Sequence, residues 1–198
     1  MLYNTKERIT IRKMKRKGIN IVLSVLTSLL LYNPASAQRT MSGQPSLRVS
    51  SLYNGRFVGA EAFYEQYTLN GYWQTGVQGN IYKANLSSGH LLDYLHALVQ
   101  GGYSFRIIGT RNRSLNLYVC AGAQAGVEVL DVWRSLPSYI SLDKGRYTFI
   151  YGLYGVSILE CFISKHFALL LEAGVPITFG SAIGAVNWNV GLGFKWNL

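Results

Sequence analysis

The sequence is poor in charged residues. Only 14% of its 198 residues are Asp, Glu, Lys or Arg, whereas a soluble domain carries about 25%. It is rich instead in glycine and aromatic residues, with 21 Gly, 14 Tyr, 8 Phe and 4 Trp. This combination is typical of β-strands that cross a lipid bilayer, where Tyr and Trp collect at the two interfaces. A soluble all-β barrel has a similar composition, so composition alone does not decide between the two.

Cysteine is nearly absent. Cys120 and Cys161 lie in separate strand-like segments and form no CxxC motif, so they do not define a metal site. An oxidising compartment would permit a disulfide, but the inferred strand register does not place the two residues opposite each other. We therefore expect two small apolar side chains, and we identify no metal site. We also expect no cofactor, because the glycines are spaced as in strands and do not form a phosphate-binding loop before a helix.

Long apolar runs are missing after Ala37. No stretch of about 18 apolar residues occurs there, so the sequence predicts no transmembrane helix in that part of the chain. A chain that lies in a membrane without such helices must form a closed barrel, because every backbone polar group has to be paired in lipid.

The N-terminal residues have the features of a secretory signal peptide. A basic stretch that ends at Lys17 precedes an apolar stretch at 19–31, and Ala35-Ser36-Ala37 is the small-x-small pattern that signal peptidase needs. We predict a signal peptide over 1–37, with cleavage before Gln38. An uncleaved membrane anchor is the alternative.

The boundaries follow from this prediction. The mature chain, 38–198, is expected to be a single barrel domain. Met14 is an alternative start, because the three basic residues after it would suffice for a signal peptide.

The net charge of +10 does not indicate a nucleic-acid-binding protein. Seven of the 19 basic residues and one of the nine acidic ones lie before residue 38. Removing them leaves 12 basic against 8 acidic residues, a net charge of +4. Arg111 and Arg113 form a small basic cluster in a turn without an aromatic stacking platform. We interpret this cluster as a solvated turn and expect no direct nucleic-acid binding.

The segment 186–198 is the clearest strand. All of its even positions are bulky and apolar, and all of its odd positions are Asn, Gly or Lys, which is period-2 alternation without exception. A soluble strand with such an apolar face would be an aggregation hazard, whereas a lipid-facing strand explains it.

The rest of the mature chain contains seven further strand segments. Alternation recurs at 114–129 and 167–175 and is weaker at 92–107, and four less regular segments lie at 46–53, 58–69, 72–86 and 149–162. The fold class is therefore predicted to be all-β, an eight-stranded antiparallel outer-membrane-type β-barrel that follows a cleaved signal peptide.

The lengths of the connections support this strand count. The second, fourth and sixth connections are short and include Asn70-Gly71, a strong hairpin signal. The third, fifth and seventh, at 87–91, 130–148 and 176–185, are longer. Outer-membrane barrels alternate short periplasmic turns with longer outer loops, so both termini are expected to be periplasmic. The first connection, 54–57, is short for an outer loop.

The charged residues within the strands predict a structural network rather than a catalytic site. The interior of an eight-stranded barrel is just filled by side chains, and buried charges need partners. The residues expected in this polar lumen network are Glu61, Glu65, His96, Arg106, Glu128, Glu160, Glu172 and Lys195. We identify no catalytic residues. One alternative is a catalytic carboxylate pair, and another is a lipid hydrolase that uses Ser164 and His166.

Several short motifs occur in a fixed order along the chain. They are Gly101-Gly102-Tyr103-Ser104-Phe105, Gly191-Leu192-Gly193-Phe194-Lys195, Ala37-Gln38-Arg39 and the segments 149–152, 159–164, 167–172 and 179–181. In these motifs the chain resembles the TraO family of conjugative-transposon proteins from Bacteroidetes. The resemblance covers most of 38–198 and is strongest after residue 100. The sequence departs from the family at His166, where members have a basic residue.

The resemblance implies a role in conjugal DNA transfer, in the envelope part of the mating apparatus, and it brings no catalytic residues. We therefore expect a non-enzymatic structural component in the cell outer membrane. Its expected partners are membrane lipid and other proteins of the conjugation apparatus, without a small-molecule substrate. Two alternatives remain, a lipid-modifying barrel enzyme and a general outer-membrane binding or stability barrel, because one fold hosts many functions.

Overall fold

The structure is a computed structural model that describes residues 42–85, 91–110, 114–130, 147–182 and 184–198. The predicted signal peptide, its cleavage site, Arg111 and Arg113 lie outside these residues. No helix in the described ranges is long and apolar enough to cross a membrane.

Eight antiparallel strands form a closed barrel in which each strand pairs with its neighbours in sequence and β1 pairs with β8. The predicted fold and strand count are confirmed. The strands are β1 (Pro45–Asn54), β2 (Phe57–Tyr67), β3 (Gly71–Asn85), β4 (Leu91–Gly109), β5 (Leu115–Leu130), β6 (Tyr147–Phe162), β7 (Phe167–Phe179) and β8 (Asn189–Asn197).

The side chains alternate between lumen and exterior along the strands, except at a bulge in β4. The apolar face of the last segment points outward, as its alternation predicts: Val190 is 42% exposed and Phe194 is 66% exposed, while Lys195 between Phe194 and Trp196 is fully buried. The outer surface is therefore an apolar belt, and polar groups are concentrated inside.

The two ends of the barrel carry different connections. At one end, here called the turn end, lie the connections 68–70, 110–114 and 163–166, together with the start of β1 and the end of β8. The opposite end, the loop end, carries 55–56, 86–90, 131–146 and 180–188.

Two boundaries differ from the expectation. β8 begins at Asn189 rather than at residue 186, because before that point only an isolated bridge joins Val186 to Ile177. The first connection is a two-residue hairpin, in which Asn54 pairs directly with Phe57 across Gly55 and Arg56. The loop end therefore includes one connection as tight as those of the turn end.

A register shift interrupts β4 near the turn end. Arg106 pairs with Tyr118, but the next paired residue is Ile108, which leaves Ile107 without a partner on β5. Such a bulge breaks the strict alternation of faces, and Ile107 and Ile108 are both exposed as a result.

The lumen is not filled by polar residues alone, because it also contains two clusters of apolar and aromatic side chains. A buried cluster near the turn end consists of Tyr67, Tyr72, Tyr118, Cys120, Tyr154, Ile158 and Leu170. A smaller one near the loop end consists of Leu52, Phe57 and Tyr82.

The two cysteines do not pair. Cys120 belongs to the buried cluster, whereas Cys161 lies between the buried Glu160 and Phe162 and so faces outward. Both are free thiols. Their opposite faces exclude a disulfide in this register, in agreement with the expectation.

Candidate functional site

Arg48 forms the centre of the polar lumen. Its guanidinium lies 3.3 Å from Oε1 of Glu61, 3.2 Å from Oε1 of Glu65 and 3.3 Å from Oε1 of Glu172. It also stacks over the ring of Phe63, 4.2 Å from the centroid. A guanidinium has five donors in a planar fork, so one arginine side chain can bridge carboxylates from β2 and β7.

Lys195 forms the second cationic centre. Its Nζ lies 2.6 Å from Oε2 of Glu65 and also contacts Oε1 of Glu160. The ammonium group sits 4.0 Å from the ring centroid of Tyr72 and 3.3 Å from the hydroxyl of Tyr67. This aromatic surround offsets part of the cost of removing the charge from water.

Glu65 accepts contacts from both cations, so the two centres form one network. We call this network the plug; its members are Arg48, Glu61, Glu65, Glu160, Glu172 and Lys195. All six side chains are buried.

A second set of polar lumen side chains, here called the amide layer, adjoins the plug: in the pairing of β2 with β3, Gln74 lies opposite Glu65 and Gln78 lies opposite Glu61. Gln100 donates through Nε2 to Gln78 and, at 3.0 Å, to Gln124, which in turn donates to the hydroxyl of Thr178 at 3.0 Å. Gln74 donates to the hydroxyl of Tyr154 at 3.0 Å. These bonds connect strands β3 to β7 across the lumen.

Glu128 closes the polar interior near the loop end. It accepts hydrogen bonds from Nε2 of His96 at 2.8 Å, from Oγ of Ser181 at 2.6 Å and from the backbone N–H of Ala182 at 3.1 Å. The ring of Tyr82 packs against the imidazole with 4.5 Å between centroids. Ser181 and Ala182 follow β7, so Glu128 holds the start of the β7–β8 loop against β5.

This serine, histidine and glutamate do not form a nucleophilic triad. In such a triad the histidine stands between the serine and the acid and accepts the serine proton. Here Glu128 stands in the middle, and both His96 and Ser181 bond to it. The arrangement instead fixes the start of the β7–β8 loop. We call the contacts of Glu128 with His96, Ser181 and Ala182 the latch.

The Ser164 and His166 pair is not arranged for hydrolysis either. The hydroxyl oxygen of Ser164 accepts hydrogen bonds from the backbone N–H groups of His166 and Phe167, at 3.4 Å and 3.2 Å. The imidazole Nδ1 of His166 faces the carbonyl oxygen of Asn197 at 3.3 Å. The side chain of Ser164 therefore stabilises the β6–β7 turn, and that of His166 links this turn to the end of β8.

Seven of the eight residues expected in the lumen network lie in these clusters, five in the plug and two in the latch. Arg106 does not: it is half-buried next to the bulge and forms no ion pair within the described residues. Arg48 is not among the residues predicted for this network, yet it contacts three carboxylates, more than any other described residue. The alternation of Ser46, Arg48 and Ser50 with Leu47 and Val49 was the pattern that could have identified it.

Among the described residues, no group of three or more His, Cys, Asp or Glu side chains is arranged to hold a metal ion.

The family model for conjugative transposon protein TraO matches residues 59–198, which is most of the chain and seven of the eight strands. The chain belongs to the TraO family. A search of the curated proteins found no match.

Solved structures of small outer-membrane barrels resemble the fold at low sequence identity. The attachment invasion locus protein Ail of Yersinia pestis is 15% identical, with a TM-score of 0.50 over 80% of this chain and 100% of that one. The N-terminal barrel domain of Pseudomonas aeruginosa OprF is 14% identical, with a TM-score of 0.47 over 79% of this chain and 98% of that one. Neisserial surface protein A is 9% identical, with a TM-score of 0.48 over 78% of this chain and 95% of that one. At such identities, the match to Ail supports the barrel fold and says nothing about activity.

Proposed function

We propose that this TraO-family chain is a structural component of a conjugal DNA transfer apparatus, anchored in the outer membrane and without catalysis of its own. The family match over residues 59–198 is the observation that carries the proposal. The geometry of the barrel supports its anchoring in a membrane, its orientation and a closed lumen.

The apolar belt supports the membrane location. Large hydrophobic side chains on all eight strands are more than a third exposed, which would be unfavourable in water and is favourable in lipid. Aromatic residues gather towards both rims: Trp73, Tyr103, Phe167 and Trp196 near the turn end, and Tyr53, Phe149, Tyr151 and Phe179 near the loop end. Two such girdles mark the interfaces of a bilayer.

The orientation follows from the connections. With the turn end in the periplasm, both ends of the barrel domain face the cell and the longer connections face outward. Export through a signal peptide that is cleaved before Gln38 is part of this proposal.

The plug and the amide layer argue against passage of DNA through the lumen. Buried side chains join strands that are two positions apart around the barrel, both in the plug and in the amide layer. Gln74 on β3 also reaches Tyr154 on β6, and the interior of an eight-stranded barrel has room for little else. Contacts with other proteins of the apparatus would therefore involve the rims and the outer belt. Within the described residues, the same filled interior leaves little room for a small-molecule substrate.

The test is an in-frame deletion of the gene in a donor strain, complemented from a plasmid. Transfer frequency should fall by at least a hundredfold and return on complementation, while the envelope lipids are unchanged by mass spectrometry. Unchanged transfer would reject the proposal in favour of a general outer-membrane barrel, and altered lipids would favour an enzyme.

Localisation has its own experiment. The complementing protein should fractionate with the outer membrane, migrate faster in gels before heating than after, and begin at Gln38 by N-terminal sequencing. A soluble periplasmic protein without a fast-migrating form would contradict the membrane assignment.

A further inference from the structure

Two basic residues lie opposite each other at the loop end of the barrel. One residue beyond the last β2–β3 pair, Phe57 with Tyr82, the backbone N–H of Lys83 donates to the carbonyl oxygen of Arg56 at 3.2 Å. Arg56 and Lys83 are therefore cross-strand neighbours, and both are exposed. Like charges that face each other across two strands are unfavourable, so this pair favours an anion that lies between them.

Both residues belong to the outer face of the barrel. Arg56 precedes Val58 by two residues, and Lys83 follows Ile81 by two. Val58 and Ile81 are exposed on the outer surface, whereas Phe57 between Arg56 and Val58 is buried in the lumen. Because residues two apart in a strand share a face, Arg56 and Lys83 lie on the same side of the sheet as the apolar belt.

The nearby acidic residue compensates only one of the two cations. Asp93 on β4 lies opposite Lys83 and is half-buried, so the group of three carries one positive charge in excess. Among the described residues, all of the ion pairs involve other side chains. An external anion can therefore reach both Arg56 and Lys83.

The two cations lie at the edge of the apolar belt. Val58 and Ile81 pair with each other, about 7 Å along the strands from Arg56 and Lys83. Tyr53 lies opposite Val58 and is part of the loop-end girdle. A lipid whose acyl chains contact Val58 and Ile81 would therefore have its headgroup beside the two basic side chains.

The tight first hairpin produces this position. Only Gly55 and Arg56 separate the paired residues Asn54 and Phe57, so the backbone keeps Arg56 in register with Lys83. A longer outer connection between β1 and β2 would not constrain Arg56 in this way. The short connection thus holds a basic residue at the level where lipid headgroups begin.

We propose that Arg56 and Lys83 bind the phosphate of a lipid in the leaflet at the loop end. Arginine binds phosphate through parallel N–H donors, and lysine binds it as a point charge. The identity of the lipid rests on the proposed function, in which the loop end faces outward. The ligand is then the phosphorylated glycolipid of the outer leaflet, for which lipid A is the probe.

The experiment uses the folded protein in nonionic detergent micelles, mixed with lipid A and analysed by native mass spectrometry, which counts the lipids that stay bound. The wild type should retain lipid A at least tenfold better than lipid A without its phosphates. Arg56→Gln and Lys83→Gln should each weaken the binding about fivefold, the contribution of one basic residue near an anionic lipid surface. Arg56→Lys keeps the charge and should bind more strongly than Arg56→Gln.

Lys165→Gln is the matched control. Lys165 is exposed in the β6–β7 connection at the turn end, so its replacement removes the same charge from the opposite rim. This variant should bind lipid A as well as the wild type does. Heat-modifiable gel mobility establishes that each variant is folded before the measurement.

Three results would overturn the proposal. Equal retention of lipid A with and without phosphates would show that the phosphate is not recognised. Equal losses in Arg56→Gln and Lys165→Gln would show that net charge, and not this pair, attracts the lipid. Phosphatidylglycerol bound as strongly as lipid A would exclude selection of the outer-leaflet lipid. The assay does not involve conjugation, so a deletion strain with normal transfer would reject the proposed function and leave the lipid-binding result unaffected.

Discussion

The ammonium nitrogen of Lys195 on β8 lies 2.6 Å from a carboxylate oxygen of Glu65 on β2, and both side chains are fully buried. Strand β1 lies between these two strands. The ion pair therefore spans the seam at which the first strand meets the last. It adds to the backbone pairing of β1 with β8 and to the ion pair of Arg48 with Glu172, which crosses the same seam.

Replacing Lys195 by Met should lower the free energy of unfolding by about 3–5 kcal/mol, because Glu160 would lose its cation and Glu65 would keep only Arg48. Urea unfolding in micelles, followed by Trp fluorescence, measures the change. Lys83→Met is the control: Lys83 is exposed and near the loop end, so its replacement should change stability by less than about 0.5 kcal/mol. Equal losses in the two variants would contradict the role assigned to Lys195.

Val77→Arg and Val58→Arg test the depth of the apolar belt. Both valines face outward, at 57% and 62% exposure, but Val77 lies in the middle of β3 and Val58 is the second residue of β2, at the loop end. In lipid bilayers, an arginine at the midplane costs about 2–4 kcal/mol and one near the interface about 0–1 kcal/mol. Folding titrations in vesicles should reproduce this difference. Equal costs at both positions would contradict the proposed membrane span.

Gly102→Ala should destabilise the barrel, whereas Gly101→Ala should not. A Cβ atom at Gly102 would lie 2.6 Å from the carbonyl oxygen of Ala121 and 2.7 Å from the hydroxyl of Tyr154, while at Gly101 the nearest atom would be 3.9 Å away. Overpacking of this kind costs about 1–3 kcal/mol, and an unstrained Gly→Ala change is neutral or stabilising. Urea midpoints of the two variants measured side by side check the prediction, which fails if Gly101→Ala is the more damaging.

Glu128→Gln should loosen the β7–β8 loop without unfolding the barrel. The substitution removes the negative charge that accepts bonds from His96, Ser181 and the N–H of Ala182. Hydrogen bonds to a charged group contribute about 1.5–3 kcal/mol, so proteinase K should cleave within 180–188 at least tenfold faster. Mass spectrometry of the fragments identifies the site.

Ser157→Ala, which changes an exposed side chain on β6, is the control for the latch and should cleave at the wild-type rate. Cleavage that is unchanged in Glu128→Gln would mean that the loop is held by other contacts.

The fold could be predicted from the sequence because the membrane leaves few alternatives. Lipid on one side and a polar interior on the other impose period-2 alternation, and 186–198 shows it without exception. Pairing of every backbone group then requires closure, and connection lengths fix the number of strands. The short first hairpin, at the loop end, could not be predicted in this way, because no physical requirement makes an outer connection long.

The lumen could be predicted only in part. The inward acidic residues could be predicted, because a charged side chain in a membrane-spanning strand is unfavourable on the lipid-facing side. Arg48 was overlooked because the alternation around it ends at Leu52 and Tyr53, where an inward leucine packs into the small aromatic cluster. Arg106 was assigned to the network because a regular strand would place it there. A bulge next to Arg106 shifts the register of β4 against β5. We find no pattern in the neighbouring residues that predicts this bulge.

Which strands share a charge network depends on distances across the lumen, and these are set by the stagger of all eight strands together. Alternation gives the face of each residue but not its height. For this reason the contact between Lys195 and Glu65 and the contact between Arg48 and Glu172 are findings of the structure.

The pairing of β1 with β8 has a consequence for biogenesis. Ser46 through Tyr53 have their partners between Val190 and Asn197, so β1, the first of the eight strands to be synthesised, pairs with β8, the last of the eight. Without β8, the edges of β1 and β7 expose unpaired N–H and C=O groups, which are energetically unfavourable in the core of a bilayer. The barrel therefore closes only when all eight strands are present. A product truncated before Asn189 lacks β8, the strand that pairs with both β1 and β7.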